Sequence, residues 1–169
     1  MASARRRDNQ AARRLSRRYC DVGDERALQD DVAGAIASYQ RAAELDEDSA
    51  RAHLSLGDSY ALAERDDEAF AAYQHALRKH PDNADVHFCL GDLLARNGRV
   101  QDAIGEMELA VECDPQRPYY CYRLAELYVR SGDEEMAESA LRAAIALDPG
   151  EGLYRYKLGE LHCRQGQWL

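Results

Sequence analysis

The sequence predicts an all-α protein in which antiparallel helix pairs stack into a right-handed superhelical solenoid. Three observations predict this fold class: a 34-residue internal period, apolar residues that recur at intervals of three and four, and glycine or proline at the expected helix ends. A single helix pair cannot bury its own apolar stripe. Several stacked pairs can, because each covers the stripe of its neighbour.

The period is clearest at one small residue, which returns every 34 positions and always follows an apolar residue. These small residues are Gly23, Gly57, Gly91, Ala125 and Gly159. Two alanines follow 12 and 19 positions later, with a large side chain between them. These large side chains are Tyr39, Tyr73, Met107 and Leu141. We expect the small residues to let two helix backbones approach closely and the large side chains to fill the space beside them.

Each period contains two predicted helices, for example 84–96 and 100–112. The turns "RNGR", "RSGD" and "RQGQ" place a glycine where the first helix has to end in a left-handed conformation. Proline ends the second helix at Pro81, Pro115 and Pro149, because the residue before a proline is driven out of helical geometry. The predicted domains are a basic, flexible or helical arm (1–15) and an array (16–169). The units of that array are 16–49, 50–83, 84–117, 118–151 and a partial 152–169.

This pattern resembles the tetratricopeptide repeat (TPR) family from residue 16 to residue 169. Two departures predict a looser first unit: Arg26 replaces a large apolar residue three positions after the glycine, and Glu47 replaces the proline. The last predicted helix is more apolar than the end of an array should be. We therefore expect one of two situations. Either the chain is a fragment of a longer array, or this uncapped helix associates with a second copy of the chain or with a partner.

Charge is distributed unevenly along the chain. Residues 1–18 contain seven arginines and one acid, whereas the whole chain has a formal net charge of −9. A basic arm of this kind can contact nucleic acid or an anionic membrane. It has no aromatic residue to stack on a base within 1–18 and little apolar surface to enter a membrane interface. The sequence therefore favours a solvated leader and argues against nucleic acid as a partner.

The lengths of the apolar runs and the number and spacing of the cysteines predict the cellular location. No apolar run approaches the roughly 18–20 residues that cross a bilayer, and the N-terminus has no apolar h-region, so we expect no secretory signal. The five cysteines form no C-x-x-C pair and are odd in number, which argues against a disulfide framework. These features predict no membrane span and a cytoplasmic location.

The residues that usually carry catalysis or bind metals show no functional spacing. The five histidines and five cysteines lack the spacing of zinc ligands, and the glycines occur singly instead of forming a phosphate-binding loop. His53 and His87 occupy the same position in successive units, which favours a core role. The sequence therefore predicts no catalytic residue, no metal site and no cofactor, and the chain is not expected to be an enzyme.

Resemblance to the TPR family implies a binding surface on the first helix of each unit, which lines the concave face. In the last three units this face carries an aromatic residue, an acid and an arginine at equivalent positions, with two further cations nearby. The predicted partner is a protein or an extended peptide of basic or mixed charge. The predicted partner-binding residues are Phe88, Asp92, Tyr122, Arg123, Glu126, Tyr156, Lys157 and Glu160.

Other interpretations of the same charges remain open. The acids and arginines also form i,i+4 pairs, which stabilise a helix by about 0.2–0.5 kcal/mol each. Those pairs are Asp92–Arg96, Glu126–Arg130 and Glu160–Arg164. Asp24 and Asp58 have no arginine four positions later, so we expect them to be freer than the paired acids to meet a basic ligand.

The resemblance also bears on which class of TPR protein this is. Family members that bind the acidic tails of chaperones have an asparagine just after the glycine, where this chain has Asp or Glu in every unit. A carboxylate there repels an acidic tail, so chaperone-tail binding is not expected. The alternative function is that the chain is the TPR portion of a larger enzyme, such as a glycosyltransferase of the O-linked N-acetylglucosamine type.

Overall fold

A computed structural model describes residues 2–164 and 166, with side chains described from residue 9 onwards. Every regular element within these residues is an α-helix, which confirms the all-α prediction. The helices are α1 (Ala2–Ala27), α2 (Val32–Leu45), α3 (Ala50–Leu62), α4 (Asp66–Lys79), α5 (Ala84–Arg96), α6 (Val100–Cys113), α7 (Pro118–Ser131), α8 (Glu134–Leu147) and α9 (Gly152–Arg164). Parts of the predicted arm 1–15 and partial unit 152–169 lie outside the described residues. The predicted domain and unit boundaries stay predictions.

The helix ends follow from local chemistry. The side chains of Ser49 and Asn83 accept hydrogen bonds from the first turns of α3 and α5, which satisfies backbone donors that have no partner within the helix. Gly98, Gly132 and Gly166 adopt positive φ, as the turn sequences predict. In the two earlier turns Asp30 and Glu64 adopt this conformation instead. None of the described helices is both long and apolar enough to cross a membrane.

The chain divides into two compact halves, which meet in sequence between Pro81 and Asp82. In the first half α1 packs on α2, α3 packs on α4, and α2 and α3 join the two pairs. In the second half α5 packs on α6 and α7 packs on α8, while α6 and α7 join these pairs. The last described helix, α9, packs on α8.

Close approach within a pair depends on the small residue of its first helix. A Cβ atom placed on Gly23 would lie 2.4 Å from a ring carbon of Tyr39, and one on Gly57 would lie 2.4 Å from a ring carbon of Tyr73. Both tyrosine side chains are buried. The predicted contact between a small residue and a large one is therefore confirmed in the first half, where only glycine leaves room for the tyrosine ring.

The acid after each of these glycines has a structural role. Tyr39 donates a hydrogen bond to Asp24 (2.7 Å), and Tyr73 donates one to Asp58 (2.6 Å). Burial, and then the hydrogen bond to Asp24, raise the pKa of Tyr39, which keeps this hydroxyl a donor. The expectation that Asp24 and Asp58 are freer than the paired acids to meet a basic ligand was therefore wrong, because each acid bonds to the second helix of its pair.

The first half also contains a stacked pair of histidines between α3 and α4. The rings of His53 and His75 lie 3.9 Å apart and within 27° of parallel. His53 Nε2 lies 3.2 Å from the backbone oxygen of Glu47, and His75 Nδ1 is buried without a hydrogen-bond partner among the described residues. Burial, and then His75, lower the pKa of His53. His53 and His87 are both buried, which confirms their predicted core position.

Acidification is expected to weaken the first half through His53. Because the folded state lowers the pKa of this imidazole, the unfolded chain binds more protons. The contribution of neutral His53 to the free energy of unfolding is fully present above pH 6.5, the ordinary pKa of histidine. It is lost as the pH falls below that value toward the lowered pKa of the folded state. We expect the melting temperature to fall between pH 7.5 and 5.5, and to fall less in His53→Gln. Equal losses in the two proteins, measured by circular dichroism, would assign the effect to other groups.

Candidate functional site

All eight predicted partner-binding residues lie in the second half, on three of its helices. Helix α5 provides Phe88 and Asp92, α7 provides Tyr122, Arg123 and Glu126, and α9 provides Tyr156, Lys157 and Glu160. We call the surface formed by these eight residues the inner surface. Equivalent residues recur along it because they lie 34 positions apart in the sequence.

A cleft of about 810 Å³ opens at the α7 and α9 end of the inner surface. Six of the eight predicted residues line it, all except Phe88 and Asp92. Its apolar lining includes Leu127, Leu141 and Leu161, and its charged lining includes three further arginines. Those arginines are Arg130, Arg155 and Arg164. A cleft with an apolar lining and several charged side chains is typical of sites that bind side chains of a partner.

Arg123 joins two helices of the inner surface. Its Nη2 atom donates to Asp92 Oδ1 at 2.5 Å, and its Nη1 atom donates to the hydroxyl of Tyr119 at 3.3 Å. Arg123 Nε lies 3.1 Å from Glu126 Oε2, yet it is not aligned for a hydrogen bond, so this buried donor makes none among the described residues.

Burial dominates the electrostatics of Asp92. It raises the pKa of this carboxyl, and the nearby Arg123 and Arg96 offset only part of the rise. Glu126 has two polar contacts on its own helix. It accepts a hydrogen bond from the Tyr122 hydroxyl at 2.5 Å and forms an ion pair with Arg123. Arg130, the i,i+4 neighbour of Glu126, donates to the backbone oxygen of Ala95.

Aromatic rings form a continuous row of contacts beside these charges. In order along the row the ring centroids are 5.0, 5.6, 5.9 and 5.4 Å apart. The five rings, in the same order, belong to Tyr120, Phe88, Tyr119, Tyr122 and Tyr154. Our sequence analysis missed three of them. The run "PYYCY" and the 34-residue interval between Tyr120 and Tyr154 are the signals that point to them.

The three predicted residues of α9 form a group of their own. Lys157 Nζ lies 2.9 Å from Glu160 Oε2, and the hydroxyl of Tyr156 donates to Glu160 Oε1 at 3.1 Å. The hydrogen bond from Lys157 lowers the pKa of Glu160, so this acid remains charged. The side chain of Tyr156 is exposed (61%), whereas that of Tyr122, one period earlier, is buried (8%). The inner surface is therefore closed at α7 and open at α9.

Comparison with known sequence families settles the class of repeat. Models of the tetratricopeptide repeat match residues 51–83, 71–118 and 118–151, and a further TPR repeat model matches residues 23–64. The chain belongs to the tetratricopeptide repeat family. This TPR chain has no significant match among curated proteins. Within its described residues, no group of three or more His, Cys, Asp or Glu side chains is placed to hold a metal ion.

Several solved TPR structures share this fold. The crystal structure of MamA is 22% identical, with 90% of this chain and 84% of that chain covered and a TM-score of 0.80. The pilF protein of Pseudomonas aeruginosa is 18% identical, with 93% and 72% covered and a TM-score of 0.84. YrrB, a TPR protein with an unusual peptide-binding site, is 24% identical, with 88% and 77% covered and a TM-score of 0.73. These likenesses show the fold alone.

Proposed function

We propose that this TPR chain is a cytoplasmic adaptor that binds an extended segment of a partner protein on its inner surface. The observation that carries the proposal is the cleft between α7 and α9, where apolar side chains and paired charges line one opening. YrrB, which has the same fold, is a TPR protein with an unusual peptide-binding site.

The chemistry of the inner surface predicts the partner segment. Tyr156 offers a large exposed ring, and such aromatic residues often contribute most of the binding energy at an interface. Glu126 and Glu160 can accept hydrogen bonds from backbone amides or basic side chains, while the arginines that line the same cleft can meet acidic groups. We therefore expect a segment with an apolar or aromatic anchor and charges of both signs.

The function is tested with peptides selected from a random library on the wild-type chain. Tyr156→Ala combined with Glu160→Lys is expected to weaken their binding at least tenfold, because it removes an exposed ring and reverses a charge in the cleft. A tenfold loss corresponds to about 1.4 kcal/mol of binding free energy. Isothermal titration calorimetry measures the loss. We choose Tyr156 over Tyr122 because the buried Tyr122 ring also supports the fold.

A matched control carries the same kind of change on α6, away from the inner surface. Leu109 and Glu112 are both exposed there, so Leu109→Ala combined with Glu112→Lys should leave peptide binding unchanged. Circular dichroism should show the same helix content in all three proteins. If the α9 variant binds the selected peptides as tightly as the wild type does, the binding site lies elsewhere.

A further inference from the structure

One side of α1 carries a concentration of positive charge in the first half of the molecule. Residues 13–18 include four arginines and no acid. Because successive residues of an α-helix are about 100° apart, these four side chains leave the helix axis within an arc of about 140°. All four are exposed. We call them the arginine face, which consists of Arg13, Arg14, Arg17 and Arg18.

The packing of α1 keeps the arginine face at the surface. Ser16 is 1% exposed, and its hydroxyl donates a hydrogen bond to the backbone oxygen of Ala42 on α2 at 2.8 Å. Cys20, one turn later on the same side of α1, is also 1% exposed. These two buried residues fix the rotation of the helix about its axis, so the arginines project away from the core.

Three of the four arginines have no acidic partner among the described residues. Arg13 Nε lies 3.8 Å from Asp46 Oδ1, whereas Arg14, Arg17 and Arg18 form no ion pair there. Asp21, four positions after Arg17, could form an i,i+4 pair with it. Its carboxylate instead pairs with Arg51 on α3, at 2.9 Å. The positive charge of the arginine face therefore remains available, in a chain whose net charge is −9.

Comparison with the later repeats shows that a contact on this face has to be polar. The residues one, two and three periods after Arg18 are Ala52, Val86 and Tyr120, each at most 4% exposed. A guanidinium does not fit the apolar surroundings that suit those residues, because burying an unpaired charge is costly. Whatever covers Arg18 must therefore supply an anionic group.

The chemistry of arginine indicates the kind of anion. A guanidinium binds both oxygens of a carboxylate or a phosphate through two parallel hydrogen bonds. Residues four positions apart on a helix, such as Arg14 and Arg18, lie about 5–6 Å from each other. Acidic residues four positions apart on a partner helix have the same spacing, so a run of Asp or Glu could pair with the arginines one to one.

Acids on the same side of α1 limit the length of the ligand. Asp21 and Glu25 lie within the arc of the arginine face, one and two turns beyond it, and both are exposed. A nucleic-acid backbone or an anionic membrane that extended along α1 would meet these like charges. The face also lacks an aromatic ring to stack on a base. A short acidic run of a protein can end before Asp21.

We propose that the arginine face of α1 binds a short acidic segment of a partner protein. The segment is about two helical turns long, and its carboxylates pair with Arg14, Arg17 and Arg18. This site goes beyond the proposed adaptor function, because it lies in the first half and shares no residue with the inner surface. Either site can therefore fail its test without affecting the other.

The test uses the whole chain and a fluorescein-labelled octaglutamate peptide. Fluorescence anisotropy at low salt is expected to show binding that weakens as salt is added, since exposed charges are screened. The variant that replaces the three unpaired arginines should weaken binding at least tenfold. It combines Arg14→Gln, Arg17→Gln and Arg18→Gln. Glutamine is about as good a helix former as arginine, so circular dichroism should show unchanged helix content.

A matched control removes three exposed arginines from other helices, so the two variants have the same net charge. It combines Arg41→Gln, Arg78→Gln and Arg142→Gln. This control should change octaglutamate binding less than twofold, because these arginines lie on α2, α4 and α8. An octaglutamine peptide, which has the same length and no charge, should not bind the wild-type chain.

Four results would each overturn this proposal. Octaglutamate does not bind at millimolar concentration, or the two variants lose binding equally, which would assign the effect to net charge. At physiological salt, duplex DNA or phosphatidylserine vesicles bind more tightly than octaglutamate and lose binding in the α1 variant, which would make the ligand a nucleic acid or a membrane. Finally, the wild-type chain forms dimers in light scattering and the α1 variant is monomeric, which would make the partner a second copy.

Discussion

Gly57→Ala is expected to lower the free energy of unfolding by about 1–3 kcal/mol, although alanine favours a helix more than glycine does. The added methyl group would lie 2.4, 2.6 and 2.9 Å from three ring carbons of Tyr73. The ring cannot simply move aside, because it is buried and its hydroxyl donates to Asp58. Urea denaturation followed by circular dichroism measures the loss.

Two further variants separate this clash from a general effect of removing a glycine. Gly105→Ala, within α6, meets no atom and should raise stability by about 0.5–1 kcal/mol. Tyr73→Leu combined with Gly57→Ala should recover part of the loss, because Ala125 and Leu141 already form that combination in the second half. If Gly57→Ala proves as harmless as Gly105→Ala, the tyrosine ring does not set the distance between α3 and α4.

The repeat made the helix pairs and their small–large contacts predictable from the sequence. Glycine at position 57 and tyrosine at position 73 recur together one period earlier, as Gly23 and Tyr39, and the structure brings both pairs into contact. Such contacts are predictable because the helical period and the 34-residue period together fix which faces meet. The left-handed turns at Gly98 and Gly132 were predictable for a local reason, the preference of this conformation for glycine.

The partners of the charged residues were not predictable in the same way. A sequence shows neighbours four positions apart, such as Asp92 and Arg96, but it does not show that Asp92 also bonds to Arg123, 31 positions later. Likewise the acid that follows Gly57 bonds to a tyrosine 15 positions away. Several partners lie within reach of a long side chain in a packed structure, and burial decides between them. Residue spacing carries no information on that burial.

Met107→Ala is expected to lower the stability of the second half by about 2–5 kcal/mol. Met107 is 0% exposed and is the large residue that α6 places opposite Gly91. Alanine would leave a cavity there, because Gly91 has no side chain that can fill it. Since α5 also carries Asp92, the partner of Arg123, the loss should reach the inner surface. We expect selected peptides to bind the variant more weakly when the temperature approaches its melting point.

Leu109→Ala is the matched control, since Leu109 lies on the same helix but is 41% exposed. It removes a comparable apolar side chain and should change the free energy of unfolding by less than about 0.5 kcal/mol. Both variants are compared by urea denaturation at constant pH. Similar losses for the two would mean that the methionine does not hold α5 and α6 together. A large loss confined to Met107→Ala would locate the core of the second half at the contact between Met107 and Gly91.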